Sequence, residues 1–536
     1  MAELRLNGRA ASGGFAAGPV AILWNGAGAV RGGGDPTAEA QALRKAIGAA
    51  IDQLLKLAAD ADSDGADILA FQIAMLEDDS LFEDALAAIG GGATADTAWR
   101  AALGTEITGY EAAEDENFRA RASDLKDIRD RVLGILSGAP TGASLPAGTI
   151  LVGEDLTPSS FLSTDWSVGG GIALTRGSAS GHVATLARAR RVPMIVGLDL
   201  DLSGVAEKAE ALIDGESATL YIDPEAATRE AFAARAQAAQ QSRKTSDAFR
   251  LRPAITADGA RIAVCVNIGD PNELESLDPK SCDGIGLVRT EFLFDGKSGL
   301  PDEETQYRAY RRLTEWAEGK PVTIRTLDAG ADKPIAGLTL DHETNPFLGL
   351  RGIRLSLAKP EPFRTQLRAL CRAAAHGAIE AMLPMVALPS ELEAARGLLE
   401  GCAAELSAAG LPHRRPDLGI MVEVPAAAIC IEAFEAAFFS IGSNDLTQYV
   451  MAAARDSDAV AELNDPRHPA VLRLIAAVAD HGAKTGRKVS LCGDAGGDPK
   501  LIEALLRAGL KALSVSPAAL GAVKEAIARV DLGVRR

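Results

Sequence analysis

Beyond Thr256 the chain repeats one unit, a short apolar run followed by a stretch of helical periodicity. Eight candidate runs occur, at 261–268, 284–289, 321–326, 347–351, 379–386, 418–423, 437–442 and 488–492. Strands alternating with helices predict parallel pairing through helical crossovers. Eight such units over roughly 280 residues suit a TIM (β/α)8 barrel, whose usual size is about 250. Chemistry in such a barrel sits on the loops at the carboxyl ends of the strands. Polar residues that directly follow an apolar run are therefore the candidates for function.

Those positions are rich in cations. GIGLVRTEFLF puts Arg289 at the end of the second run, TIRTLD puts Arg325 at the third, and NPFLGLRGIR puts Arg351 near the fourth. Lys333 follows in DAGADK, and Arg455 lies in a loop beyond the seventh run. A single arginine is most often a solvated charge or a surface ion pair. Several at the ends of different strands point instead to one anion, because guanidinium forks match phosphate and carboxylate oxygens in pairs. Glu423 ends GIMVE, Asp445 follows SIGSN at the next run, and Asn444 beside it offers a hydrogen-bond donor. Two hard oxygen ligands, with substrate oxygens and water, suit octahedral Mg²⁺; N-caps or salt-bridge partners are the other reading of the same spacing. Cys492 ends KVSLC, the last run, before GDAGGD. A lone cysteine is by default a small buried hydrophobe. At a barrel mouth, a thiol with pKa near 8.5 is protonated at neutral pH and able to protonate an enolate carbon.

The first half has a different texture. ASGGFAAGPVAILW contains an apolar run ending at Trp24 that reads as a strand, and the glycine-rich stretch from Gly26 to Gly34 reads as a turn. From about Thr37 to Leu136 apolar residues recur every three or four positions, as in Ile68, Phe71, Met75 and Leu76, which predicts an all-helical block broken at Gly90, Gly91 and Gly92. Strand-like runs resume at 149–152, 170–175, 193–196 and 218–223. The expected organisation is multidomain α/β. One α/β domain (1–30 and 145–223) carries an inserted helical subdomain (31–144), and a helical linker (224–255) leads to the barrel (256–536). Within GSASGHVATLARARRVP, small residues precede His182 and a helical pattern follows it. That setting places the imidazole near a helix N-terminus, where backbone N–H groups and the dipole favour an added phosphate. With an unperturbed pKa near 6.5 the ring is largely neutral and nucleophilic at pH 7; a capping or core histidine is the alternative. His342, His376, His413 and His481 show no comparable setting, and His468, before Pro469, reads as structural.

Composition narrows the class. No apolar run approaches the roughly 20 residues that span a bilayer, and MAELRLNGRAASGG lacks the apolar core of a secretory signal, so a cytoplasmic location is expected. The six cysteines form no CxxC pair, which suggests neither a disulfide framework nor a thiolate zinc site. A net charge of −18 argues against nucleic acid and favours a partner with a basic face.

Read together and in order, GIGLVRTEFLF, IRTLDAGADK, NPFLGLRGIR, GIMVEVPAA, FFSIGSNDLTQY and LCGDAGGD resemble the phosphoenolpyruvate–protein phosphotransferase family, enzyme I of the sugar phosphotransferase system. FQIAMLEDDSLF, RASDLKDIRDRVL and ILVGEDLTPS extend the resemblance through the first half. It implies that His182 is phosphorylated, through Nε2, and that Arg289, Arg325, Lys333, Arg351, Asn444 and Arg455 bind phosphoenolpyruvate. Glu423 and Asp445 match the family's Mg²⁺ ligands and Cys492 the acid that protonates enolpyruvate. The helical insert is similar to the docking site for the carrier protein HPr, whose basic face suits acidic residues such as Glu77, Asp78 and Asp79. A homodimer through the barrel is implied as well, as is the first step of sugar uptake. Lack of a preceding sensory segment favours the sugar branch over the nitrogen branch. Related dikinases need a nucleotide-binding domain, for which the chain has neither room nor a P-loop. A catalytically silent regulatory phosphorelay or binding protein gains a little from Gly181 beside His182, and a simple pyruvate aldolase barrel would retain the metal carboxylates yet leave His182 unexplained. Three positions depart from the pattern. Ser180-Gly181-His182 replaces Thr-Ser-His, Ala454-Arg455 replaces Asp-Arg, and Gly330-Ala331-Asp332-Lys333 replaces Gly-Gly-Asp-Lys. The charged ligands themselves are all retained.

Overall fold

The computed structural model describes residues 3–23, 35–59, 63–111, 116–138, 147–179, 181–294, 299–330, 335, 337–340, 343–455 and 458–533. Trp24, the turn at 26–34, Ser180, Lys333 and His342 lie outside them. The chain divides into two compact units, Met1–Gln240 and Gln241–Arg536, each described by itself.

The first unit is built on one sheet. Its strands are β1 (Leu4–Asn7), β2 (Arg9–Ser12), β3 (Phe15–Leu23), β4 (Ile150–Gly153), β5 (Gly171–Leu174), β6 (Met194–Val196), β7 (Glu210–Asp214) and β8 (Thr219–Ile222). The spatial order is β1-β8-β7-β3-β4-β5-β6-β2. The centre, β3 to β6, pairs in parallel, while β1, β2, β7 and β8 pair antiparallel. Strands from both sides of the helical segment thus share one sheet. Between β3 and β4 run the helices Pro36–Ala59, Ser63–Glu77, Glu83–Gly90, Ala95–Glu111 and Glu116–Ser137. Their apolar stripes, including Leu43, Leu54, Leu69, Trp99 and Ile128, bury into a core that also takes Leu151, Phe161 and Leu186 from the α/β part. The opposite sheet face buries Val20, Ile150, Val152, Ile195 and Ile213. Helices therefore cover the first face because the strands there present apolar side chains on both sides.

The second unit is a closed, all-parallel barrel. Its strands are β9 (Ala263–Ile268), β10 (Ile285–Val288), β11 (Val322–Arg325), β12 (Ile379–Leu383), β13 (Asp417–Val422), β14 (Phe438–Gly442), β15 (Lys488–Cys492) and β16 (Ala512–Val515). Closure is made by β16 against β9, from Ala512 opposite Ala263 to Val515 opposite Val266. Two expectations are corrected here. Residues 347–351 form no strand: Pro346–Leu348 is a single 3₁₀ turn, and the chain then reverses at Gly352, whose φ of 59° suits a residue without Cβ. The eighth strand is β16, hidden because Leu506, Leu510 and Leu513 continue the helical spacing of the preceding helix into it. Consequently Arg351 follows the third strand, Arg455 the sixth, and Cys492 ends the seventh.

The helix Ala226–Phe249 crosses the division between units. Within the first unit, Phe232 packs on Leu212 and Tyr221, and Arg235 pairs with Asp214 at 2.6 Å. Within the second, Ser246 bonds the Glu525 carboxylate, and the Lys524 ammonium donates to the carbonyls of Arg250, Arg252 and Ser281 at 2.8, 2.9 and 2.8 Å.

Candidate active site

A cavity of about 380 Å³ opens at the carboxyl ends of the barrel strands. Arg289, Arg325, Arg351, Arg455, Glu423, Asp445, Asn444 and Cys492 all line it, although they come from five different strand–loop junctions. Lys333 lies outside the described residues. The order of the strands around the barrel brings together residues up to 203 positions apart (Arg289 to Cys492).

Two of the arginines are fixed by buried carboxylates. Arg351 is 2% exposed. Its Nε and one terminal nitrogen donate to Asp328 Oδ1 and Oδ2, each at 2.9 Å, and its other edge grips Asp445 at 3.0 and 3.3 Å. Arg325 donates to Glu291 and to Asp328, both at 2.9 Å. Burial alone would push both guanidinium pKa values down. The neighbouring carboxylates, Asp328 and Asp445 for Arg351 and Glu291 and Asp328 for Arg325, outweigh it and hold both above the ordinary value. The forks are thereby held in one orientation, with their charge secured. Arg455 lies 3.5 Å from Asp445, and the guanidiniums of Arg351 and Arg455 both lie over the Phe347 ring, at 6.0 and 5.8 Å from its centroid. Phe347 thus serves as a platform for cations, which explains the aromatic residue opening an apolar run that is not a strand.

Asp328 and Glu291 were not among the sequence candidates. Each follows a strand-end arginine by two or three positions, Arg289–Glu291 and Arg325–Asp328, and that short-range pairing was the available signal.

The carboxylate side of the cavity is equally constrained. Glu423 is 1% exposed, and its Oε1 accepts the Met385 backbone N–H at 2.6 Å. Met385 has φ of 58°, a left-handed conformation costly for a residue with a side chain, which aims its amide at Glu423. Burial first, then the charges of Asp445 and Asp328, push the Glu423 carboxyl up to about 8. Asn444 exchanges two hydrogen bonds with Asp494, each at 3.0 Å. Cys492 is 1% exposed and accepts from Ser440 Oγ at 3.2 Å, and burial pushes its thiol up to about 11. At neutral pH it is a protonated thiol and so a poor nucleophile.

The residues present fit a divalent cation. Among the described residues the lining holds four arginines and four carboxylates, Asp328, Glu423, Asp445 and Asp494, so the side-chain charges cancel only once Glu423 is ionised, as it would be against a cation. A highly charged anion needs a further positive charge there, and Glu423, which like Asp494 makes no ion pair with an arginine among the described residues but unlike it is fully buried at the cavity wall, is a carboxylate able to meet it. No cluster of three or more histidine, cysteine, aspartate or glutamate side chains suited to a metal occurs among the described residues. A bound ion would therefore take two protein oxygens and complete its shell with substrate and water.

In the first unit, His182 is the first residue of the helix His182–Ala189, behind Gly181 at the N-cap. Its side chain retains 39% exposure, and its Nδ1 lies 3.3 Å from Oδ2 of the fully buried Asp124. It is not packed away inside hydrocarbon.

The fold and the cavity define an enzyme that grips a phosphorylated carboxylic acid, and the comparisons agree. Residues 243–532 match the family described as PEP-utilising enzyme, PEP-binding domain; 145–218 match its mobile domain and 7–121 its N-terminal domain. A phosphoenolpyruvate-protein phosphotransferase of Haloferax volcanii is 43% identical, over 77% of this chain and 73% of its own. Those of Listeria monocytogenes and Bacillus subtilis are 37% and 34% identical, over 89% and 93% of this chain and 84% and 89% of theirs. The chain belongs to the phosphoenolpyruvate–protein phosphotransferase family and is a transferase that uses phosphoenolpyruvate to phosphorylate protein. Among the described residues no helix is long and apolar enough to cross a membrane.

Proposed function

We propose that this protein transfers the phosphoryl group of phosphoenolpyruvate to Nε2 of His182, releases pyruvate, and passes the group to a histidine of an HPr-type carrier, as the first step of sugar uptake. The observation that carries this reading is the single cavity where four arginines, Glu423, Asp445, Asn444 and Cys492 converge. Arg289, Arg325, Arg351 and Arg455, with Lys333 and Asn444, hold the phosphate and carboxylate of the substrate. Glu423 and Asp445 hold Mg²⁺, which when bound supplies Lewis-acid charge against the transferring phosphoryl group.

In the capture step the Nε2 lone pair attacks phosphorus, the P–O bond breaks, and its electron pair leaves on the enolate oxygen. Arginine forks fixed by buried carboxylates need no rearrangement as charge moves, and one such preorganised donor is typically worth about 3 kcal/mol. The Cys492 thiol then protonates the enolate methylene carbon to give pyruvate, and the thiolate recovers its proton from water. Support for Cys492 as acid is its buried, protonated thiol at the cavity wall. His182 reaches its second acceptor by movement of the α/β domain (1–30 and 145–223) about the linker (224–255). The helical subdomain (31–144) docks the carrier, the barrel (256–536) forms a homodimer, and the protein works in the cytoplasm.

Mass spectrometry of the full chain after treatment with phosphoenolpyruvate and Mg²⁺ tests the reading. Wild type gains one phosphoryl group and His182→Ala gains none; a modification that persists in His182→Ala removes His182 from this role.

A further inference from the structure

One buried carboxylate faces His182 from a segment that does not carry it. Asp124 lies on the helix Glu116–Ser137 and is fully buried; its Oδ2 is 3.3 Å from His182 Nδ1, and its Oδ1 accepts from Gln72 Nε2 at 3.2 Å. Gln72 also donates to Asp127 at 3.1 Å, and Asp127 in turn accepts from the Ser159 N–H at 2.9 Å and hydroxyl at 2.5 Å. Gln72 therefore holds Asp124 independently of the imidazole. A carboxylate at that distance can accept, which favours hydrogen on Nδ1 and leaves the lone pair on Nε2.

We propose that Asp124 is a positioning residue for the step in which the phosphoryl group leaves His182; this rests on the phosphohistidine reading above. In that step the Nε2–P bond breaks, its electron pair returns to Nε2, and phosphorus bonds the nitrogen of the carrier imidazole or the oxygen of water. The ring departs as neutral imidazole only if Nδ1 already holds its proton; otherwise it must depart as an imidazolate, a far poorer leaving group. A fixed carboxylate opposite Nδ1 secures that proton. Asp124 belongs to the helical subdomain, so in the proposed cycle it accompanies His182 during transfer outward and not during capture at the barrel. The two half-reactions consequently depend on it unequally.

The test uses the full chain, phosphorylated by phosphoenolpyruvate and Mg²⁺, freed of substrate and followed by the loss of phosphohistidine to water and to purified HPr. Asp124→Asn is expected to label within about twofold of the wild-type rate, and to lose its phosphoryl group on the order of tenfold more slowly. Asp127→Asn disturbs the same buried cluster without touching the ring and is expected to lose it at the wild-type rate. Should Asp124→Asn not fold, Gln72→Met, which loosens the carboxylate without removing it, is expected to show a smaller slowing at unchanged labelling. Equal lifetimes in Asp124→Asn and wild type overturn the proposal, as does equal slowing in Asp124→Asn and Asp127→Asn. Wild type that takes up no phosphoryl group overturns the phosphohistidine reading instead.

Discussion

Replacing Glu423 with glutamine removes a buried carboxylate from the barrel mouth, and the consequence is sharpest without metal. Burial, then Asp445 and Asp328, push this carboxyl from 4.5 up to about 8. Below about pH 4.5 the folded and unfolded chains both hold the proton and the site costs nothing. As pH rises toward 8 the unfolded chain has released a proton that the folded site keeps, so stability falls throughout that window. Between pH 6 and 8 the linkage integral is about 2 kcal/mol, or roughly 3–4 °C in the melting temperature of a domain this size. The assay is scanning calorimetry of the full chain in chelated buffer at both pH values, following the transition that Mg²⁺ shifts. Wild type is expected to lose those degrees at pH 8 relative to Glu423→Gln, which has no proton to release. Saturating Mg²⁺ should restore wild type at pH 8 and leave the variant where it was. If the two proteins show the same pH dependence in chelated buffer, the carboxylate is not held neutral by its surroundings and the argument for a cation at this position fails.

Arg351→Lys replaces two forked grips, on Asp328 and on Asp445, with one point charge. Single-turnover labelling of His182 should slow about a hundredfold or more, and a near wild-type rate would show that the fork is dispensable. Cys492→Ala should still form phosphohistidine in the first turnover while pyruvate appears at least about a hundredfold later; pyruvate released in step with labelling would assign the proton to another group. At pH 7.5 a thiol reagent should modify exposed Cys430 well before Cys492, whose thiol is buried and protonated up to about 11, a sequence readable by peptide mapping. Gly521→Ala sets a methyl group 2.4 Å from the Ser246 carbonyl oxygen, where the linker helix meets the last barrel helix. The overpacking should cost about 1–3 kcal/mol, and an unchanged urea midpoint for the barrel would contradict that close approach.

Much of the barrel was legible because a strand buried on both faces must be apolar along its whole length. β10, β12, β13 and β14 all read as such runs, and Arg325 at the end of β11 was marked by the polar residue that breaks the run. The same rule misled at 347–351, where Phe347 is apolar because it underlies two guanidiniums, not because it fills a barrel layer. It also passed over β16, because Leu506, Leu510 and Leu513 carry the helical spacing of the preceding helix straight into it. β1 and β2, the antiparallel edge strands of the first sheet, went unread for a related reason, since short strands partly open to solvent carry a mixed composition, whereas β7 is buried along most of its length and was hidden by the carboxylates at its two ends, Glu210 and Asp214.

What the residues alone determined is the inventory: a (β/α)8 half, a helical segment set into an α/β half, cations and carboxylates at strand ends, and a histidine opening a helix. Period and composition encode those because each depends only on near neighbours in the chain. Tertiary structure decided which charges answer one another. That Asp328 holds both Arg325 and Arg351, that Glu423 makes no pair with an arginine among the described residues and is driven toward neutrality, and that Asp124 lies beside His182 follow from barrel closure and helix packing. Coulomb energy and desolvation act through a few ångströms of space, and no pattern of spacing along a chain records that distance.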